Sequence, residues 1–561
     1  MKKTLILAMA MTLALAGSLF AQGTFSPGAS IGGFGVTTTA PSTINNDDSC
    51  DIGTTPAATL LLPYFEANQT DRNTIFTIVN TTNEAQIAHI TIWTDYSFPV
   101  VDFNVYLTGY DVQGLSLRDI IFNDIIAPTA TPGVHGTTDT GSTTSGVGLS
   151  PYGSRSVLPP NPNNLFPSVV GPAGTLNCTN LPGQIPPALG AAMRNALING
   201  IYHSPDFPFC TTTQRVGSDD GVGNHPANTA IGYVTIDVAR VCSLRLPTEP
   251  AYFATDILFD NVLTGDYETF DASAASNFAG GSPLVHIRAI PEGGAPDVAP
   301  AAGTAYTNLP YTFYSRYLVG EVDPLARVRD RRQPLPSMWA ARFVDGPGIN
   351  TAFKIWREGV TPVTTCANAA LNSALTISEV VRFDEHENPS IYGVTGGPII
   401  SPTPPTPPAV VLPETQRVPV NGGFFPTQPT VAGDIGGWMY LNLDFSRDFA
   451  IGTSGQPGFL PAQNPAGVDP TATNASNPTL NSTTNNPLYP AGSYPGGRPA
   501  QSWVVVSMSG TGASAGALSV DFDATWLGNG CTANPRNSSV IPPIGPAVAP
   551  SPADQSPNWN P

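Results

Sequence analysis

Apolar and polar positions alternate with a period of two over much of this chain, the pattern of strands with one face turned inward. The clearest case places Val101, Phe103, Val105 and Leu107 on one side and Asp102, Asn104, Tyr106 and Thr108 on the other, which predicts a half-buried antiparallel strand. Ala58–Phe65, Thr74–Val79 and Ala88–Trp93 read as consecutive strands separated by Asn/Thr turns, and Tyr233–Val238, Asp256–Phe259 and Leu284–Arg288 continue the series. One segment has a different period. Leu189, Ala192, Met193, Ala196 and Leu197 recur at helical spacing, with prolines ahead and Gly200 behind, so a helix is expected over 187–199.

The second half opens in a similar way. Leu335–Val344, a Gly-rich turn and Thr351–Trp356 echo Leu62–Phe65 followed by Thr74–Val79, and Ser378–Phe383 echoes His89–Trp93. Trp438–Phe445 alternates again, and Ser502–Ser507 with Ala517–Trp526 reads as a closing hairpin. The expected fold class is all-β: two antiparallel, immunoglobulin-like β-sandwich units, related by a candidate duplication, with long Pro/Gly/Asn-rich loops and one short helix. The expected division is a signal peptide over 1–21, a flexible leader over 22–49 and a first unit over 50–290, followed by a linker over 291–306. A second unit over 307–535 is interrupted by a Pro-rich spacer at 397–415, and a disordered tail covers 536–561.

Composition supports many short strands: 59 prolines and 55 glycines punctuate 561 residues, and only 11% of residues are charged. The opening Met1-Lys2-Lys3, the apolar run from Leu5 to Leu15 and the small-residue stretch ending at Ala21 have the layout of a secretory signal. Removing it takes away two of 23 basic residues, leaving 21 against 41 acidic ones and a net charge of −20. That field excludes nucleic acid as a natural partner, and no further stretch is long and apolar enough to span a membrane as a helix. Lys354 is then the sole lysine. An exported protein, extracellular, periplasmic or at the cell surface, is expected. In that compartment Cys50, Cys178, Cys210, Cys242, Cys366 and Cys531 are disulfide candidates, with connectivity open.

Cys50-Asp-Ile-Gly, Ala58–Phe65, Asp102–Asp111 and Trp526–Cys531 together resemble a group of exported bacterial β-rich proteins without an assigned activity. The resemblance implies the fold class and export, and no chemistry.

Local chemistry is sparse. Gly512-Ala-Ser-Ala-Gly516 has the spacing of a nucleophile elbow, but the following Ala517–Asp523 alternates as a strand where a helix is required, so Ser514 reads as a hairpin-loop residue. Asp521 and Asp523 share a strand face and form a candidate carboxylate pair or calcium site. Asp219 and Asp220, in Ser218–His225, form the other acidic loop able to offer hard ligands, and calcium is the one ion such sites suggest; no other cofactor is expected. Asp384–Glu387 reads as a charged strand end, and Arg327, Arg329, Arg331 and Arg332 as a basic cluster paired internally with surplus carboxylates. Trp438 and Tyr440 share a face with Asn442 and Asp444, the mix of rings and amides that a sugar-binding platform uses, and His89 lies beside Trp93 on another such face. The reading leans against catalysis and toward a structural or binding protein, self-associating or surface-coating. An extracellular polysaccharide is the alternative partner, through a carbohydrate-binding module or a polysaccharide-acting hydrolase or lyase.

Overall fold

A computed structural model describes residues 55–126, 185–289 and 313–526 apart from internal stretches, chiefly 203–212, 240–244, 273–277, 318–331, 360–365, 392–409, 422–434 and 444–500. The leader, the linker, the tail and Ser514 therefore lie outside the described residues.

Period-two patterning becomes strand in nearly every segment. The first half contains β1 (Thr59–Ala67), β2 (Arg72–Asn80), β3 (Gln86–Trp93), β4 (Pro99–Leu107), β5 (Val112–Ser116), helices α1 (Leu117–Phe122) and α2 (Pro187–Asn199), and then β6 (Ile201–Tyr202), β7 (Gln214–Arg215), β8 (Ala230–Ala239), β9 (Leu263–Asp271), β10 (Phe278–Pro283) and β11 (Val285–Ile287). The second half contains β12 (Met338–Val344), β13 (Ile349–Arg357), the short α3 (Cys366–Ala369), β14 (Leu375–Ile377), β15 (Glu379–Asp384), β16 (Pro389–Ile391), β17 (Val410–Leu412), β18 (Thr415–Pro419), β19 (Gly436–Asn442), β20 (Ser502–Thr511), β21 (Ala517–Asp523) and β22 (Thr525–Trp526). The helix expected over 187–199 is α2, which buries Leu189, Met193, Ala196 and Leu197.

The first half forms a five-stranded sheet ordered β11-β1-β8-β3-β4 and a four-stranded sheet ordered β10-β9-β2-β5; every pairing is antiparallel. In the second half the orders are β22-β12-β19-β15-β16 and β21-β20-β13-β18. Read in chain order, these correspond place for place to the first pair of sheets. The echoed segments fall on matching strands, β12 on β1, β13 on β2 and β15 on β3.

Each half has a core fed by both of its sheets. In the first, Leu60 and Leu62 of β1 meet Phe76 and Ile78 of β2. In the second, Trp339 and Phe343 of β12 meet Phe353 and Ile355 of β13 and Val504 and Val506 of β20. The second cluster does not stop at its own half. It takes in Leu61, Trp93, Tyr233, Val285 and Ile287 from the other face of the first five-stranded sheet. Cover on both faces explains why β1, β3 and β8 are buried at every residue.

Three expectations change. The β4 strand was expected to be half buried, yet Asp102 and Asn104 are 2% and 0% exposed; the face they share with His89 is not solvated, and the Tyr252 ring packs against His89 there with ring centres 5.5 Å apart. Asp256–Phe259 is no strand. Tyr252–Asp256 instead makes one π-helical turn, closed by Ile257 N donating to Tyr252 O at 3.1 Å, and only a single bridge joins Ile257 to Ala239. Inside the expected spacer, Val410–Leu412 pairs with β14, and Thr415 onward enters β18, since the prolines end at Pro408 and Pro413 and leave these residues free to donate to a sheet.

Pro63 sits within β1 without breaking it. The β1–β11 pairing has ended at Leu61, and the β1–β8 register shifts between Leu62 and Phe65, so no ladder hydrogen bond is required of Pro63. Its carbonyl accepts the Thr415 hydroxyl at 2.6 Å, a contact from β18 of the other half.

Candidate functional site at the junction of the halves

The outer face of the first five-stranded sheet carries two polar rows. Register puts Thr59 of β1, Asp237 of β8, His89 of β3 and Asn104 of β4 side by side, and Leu61, Thr235, Thr91 and Asp102 in the next row. Side chains directly opposite in antiparallel strands touch, so the first row is a polar band across all four strands and the second is polar from β8 to β4, with Leu61 at its β1 end. His89 Nδ1 lies 3.2 Å from Asn104 Oδ1, and Trp93 Nε1 donates to Thr235 Oγ1 at 2.9 Å.

Asp237 is the hub. Its Oδ1 accepts from Thr59 Oγ1 and forms an ion pair with Arg332 at 3.2 Å; its Oδ2 accepts from Tyr252 Oη and, at 2.7 Å, from Tyr314 Oη. Arg332 and Asp237 are 0% and 1% exposed, and the guanidinium also bonds Thr59 Oγ1 and lies over the Phe259 and Tyr314 rings at 5.3 and 5.5 Å. Burial, reinforced by the nearby Asp237 carboxylate, pushes both tyrosine hydroxyls well above their usual range, so they remain donors. With two donors on each oxygen the carboxylate is saturated. It can anchor chain segments, but has no lone pair left to take a substrate proton.

Beside the hub runs an aromatic column. Trp93 stacks on Tyr233 at 5.7 Å, and Tyr233 meets Trp356 of β13 edge-on at 5.9 Å. At the far end, Asp95 accepts the Ser218 N–H and hydroxyl, and the Asp95 carbonyl accepts Glu414 N–H of the other half at 2.9 Å. Burial raises the Asp95 carboxyl above its ordinary value, against the opposing Ser218 hydrogen bond and the His225 charge.

The residues singled out in the sequence fall at separate places. Asp219 pairs with Arg215 at 2.7 Å, while Asp220 accepts the backbone N–H of Asn228, so the two carboxylates bind different parts of their own loop. Asp521 is ion-paired with Lys354 at 2.6 Å, and Asp523 accepts Trp503 Nε1 at 2.9 Å. Among the described residues no three His, Cys, Asp or Glu side chains gather as a metal-ligand set. Tyr440 is 4% exposed; Trp438 is half-buried, with one ring face stacked on Phe383 at 3.9 Å. Asn442 lies on β19 next to them in register, and Asp444 lies outside the described residues. Residues 512–516, around Ser514, are outside the described residues too, and β21 follows them directly.

Of the arginine cluster only Arg332 is described, and it pairs internally with Asp237, as expected of this run. Among the cysteines only Cys366 is described, 1% exposed in the first core, and no free thiol is found among the described residues. Asp237 itself was passed over in the sequence. Its signal was present: Thr235 and Asp237 interrupt the apolar run of β8, polar positions in a strand too apolar to have a solvated face.

No protein-family model, curated protein or solved structure matches this chain.

Proposed function

We propose that this is an exported protein of the cell envelope or exterior that works by building structure, through association of copies along a strand edge. On this reading the two halves are duplicated immunoglobulin-like sandwiches, and the cysteines staple their loops. The export signal, the bacterial resemblance and the place-for-place strand orders support those parts.

The observation that carries self-association is β5. Among the described residues it forms the outer edge of its four-stranded sheet, with Tyr110 just before it 69% exposed and Val112, its first residue, 60% exposed. On this edge the Gly114 carbonyl is met by the Gln113 side-chain amide at 3.1 Å. The matching edge of the second half, β18, is closed: Thr415 and Gln416 are buried and Pro419 ends the strand. An edge with apolar side chains and no Lys or Pro is open to pairing with another copy.

Light scattering and negative-stain imaging of the mature, non-reduced protein are expected to give oligomers or filaments. Val112→Lys places a charge on the edge at an exposed position, and is expected to give a monodisperse monomer with an unchanged far-ultraviolet circular-dichroism spectrum. Wild-type protein that stays monomeric at all concentrations, or Val112→Lys oligomers identical to wild type, would overturn the edge assignment.

A second reading, polysaccharide binding, is favoured by Trp438, a half-buried ring stacked on Phe383 at 3.9 Å. Among the other candidates Tyr440 and Asp521 are buried, whereas Trp438 is half-buried. Trp438→Ala is expected to abolish retention on insoluble polysaccharide if that reading holds.

A further inference from the structure

A polar cluster at the seam between the halves is unevenly charged. Lys354 Nζ of β13 lies 2.6 Å from Asp521 Oδ2, with 2% and 0% of the two side chains exposed. The ammonium also lies 3.5 Å from Thr269 Oγ1 and 5.5 Å from the Tyr267 ring centroid, both on β9 of the first half. Asp523 follows Asp521 on the same face of β21 and accepts Trp503 Nε1 of β20. One cation therefore faces two carboxylates where β21 lies against β10. Asp521 Oδ1 and Tyr267 Oη are buried and have no hydrogen-bond partner among the described residues.

Among the described residues Asp523 is flanked by Asp521 on its own strand, Lys354 on β13 and Tyr267 on β9; the other β9 carboxylates are Asp266 and Glu268, exposed on the opposite face, and Asp271, ion-paired with Arg72. The adjoining β10, Phe278–Pro283, has no ionisable side chain, and β20 offers only the Trp503 N–H and the Ser507 hydroxyl.

We propose that this cluster makes the seam between the halves respond to pH. The seam is tight while Asp523 holds a proton and the cluster is neutral, and looser once both carboxylates are ionised beside a single ammonium. Burial, opposed by the Trp503 hydrogen bond and reinforced by the Asp521 charge, pushes the Asp523 carboxyl up to about 7, inside the range an exported protein meets. Burial and the two carboxylates push the Tyr267 hydroxyl well up, so it keeps its proton throughout. Among the described residues the extra negative charge has no second cation and must be hydrated. Asp523 is half-buried beside the sealed Asp521, so water drawn to the ionised pair enters along its side and loosens the contact of β21 with β10. A solvated strand-face pair would instead ionise near ordinary carboxylate pH and leave the seam unaffected.

Hydrogen exchange on the mature full chain, corrected for intrinsic pH dependence, tests this. Peptides covering β10 and β21 are expected to exchange several-fold faster at about pH 8.5 than at about pH 5.5, while the central strand β3 changes little. Asp523→Asn is expected to hold the slow rate across the whole range. A flat wild-type profile, or the same pH dependence in Asp523→Asn, overturns the proposal. The Trp503 indole N–H resonance of the wild-type chain provides a second readout that needs no variant. It is expected to titrate with a midpoint of about 7, and a resonance insensitive to pH would overturn the assignment equally.

Discussion

Arg332 and Asp237 illustrate what a buried charge does when its partners are complete. Each is almost wholly removed from water, a cost met only because the carboxylate takes four donors and the guanidinium has Asp237, Thr59 and two aromatic faces. Arg332→Ala leaves the buried Asp237 short of its cation, and is expected to lower unfolding stability by about 3–5 kcal/mol in urea titration. Arg332→Met, which keeps volume but not charge, should cost nearly as much, whereas Arg332→Met with Asp237→Leu should recover part of the loss. Equal stability of Arg332→Ala and wild type would show the pair to be incidental. At this scale the sequence was least legible. An arginine run suggests internal pairing but cannot name Asp237, because nearly a hundred residues separate the partners and only the tertiary fold, with Arg332 bridged to Ala289 beyond β11, brings them together.

At the scale of elements most strands could be read, because an apolar stripe facing a core leaves a period-two trace. β1, β2, β3, β4, β8, β12, β13, β15, β19, β20 and β21 all coincide with alternating or β-branched runs. β9 escaped notice because Thr264, Asp266 and Glu268 face solvent while Gly265 thins its inner stripe, and β18 because its polar Thr415, Gln416 and Arg417 disguise a strand between halves. Of these, Thr415 and Gln416 are buried by the junction, a tertiary effect that no local pattern records. The end of α2 was read correctly for a local reason. Gly200 has φ of 65°, and a Cβ there would come within 2.1 Å of the Gly217 carbonyl oxygen. Gly200→Ala is therefore expected to cost at least about 1–3 kcal/mol, from the left-handed backbone and from displacement of the Gly217 strand end. A thermal melt unchanged by this substitution would contradict the close approach.

For the whole molecule, Asp523 sets the sign of a pH dependence. Its folded carboxyl titrates at about 7 against an ordinary value of 3.8, so the folded state binds the proton more tightly. The resulting stability is fully present below about pH 4 and is lost as pH rises to about 7, beyond which no further loss comes from this group. Asp95, also raised, adds in the same direction. Urea midpoints are expected to fall between about pH 5 and about pH 7, and to fall less in Asp523→Asn. A rise over that interval would mean that other carboxylates, paired and lowered, dominate.

The apolar cluster that crosses from the second half onto Leu61, Trp93, Tyr233 and Ile287 has a consequence for how the chain comes apart. Two halves with separable cores would melt as beads on a string. Here the outer face of one half's larger sheet is the inner wall of the other's core. Calorimetry should therefore record a single heat-absorption peak, with van't Hoff and calorimetric enthalpies nearly equal. For the same reason neither half should be expressible as a well-behaved fragment: cutting the gene between them would leave each product with a greasy wound in place of a surface.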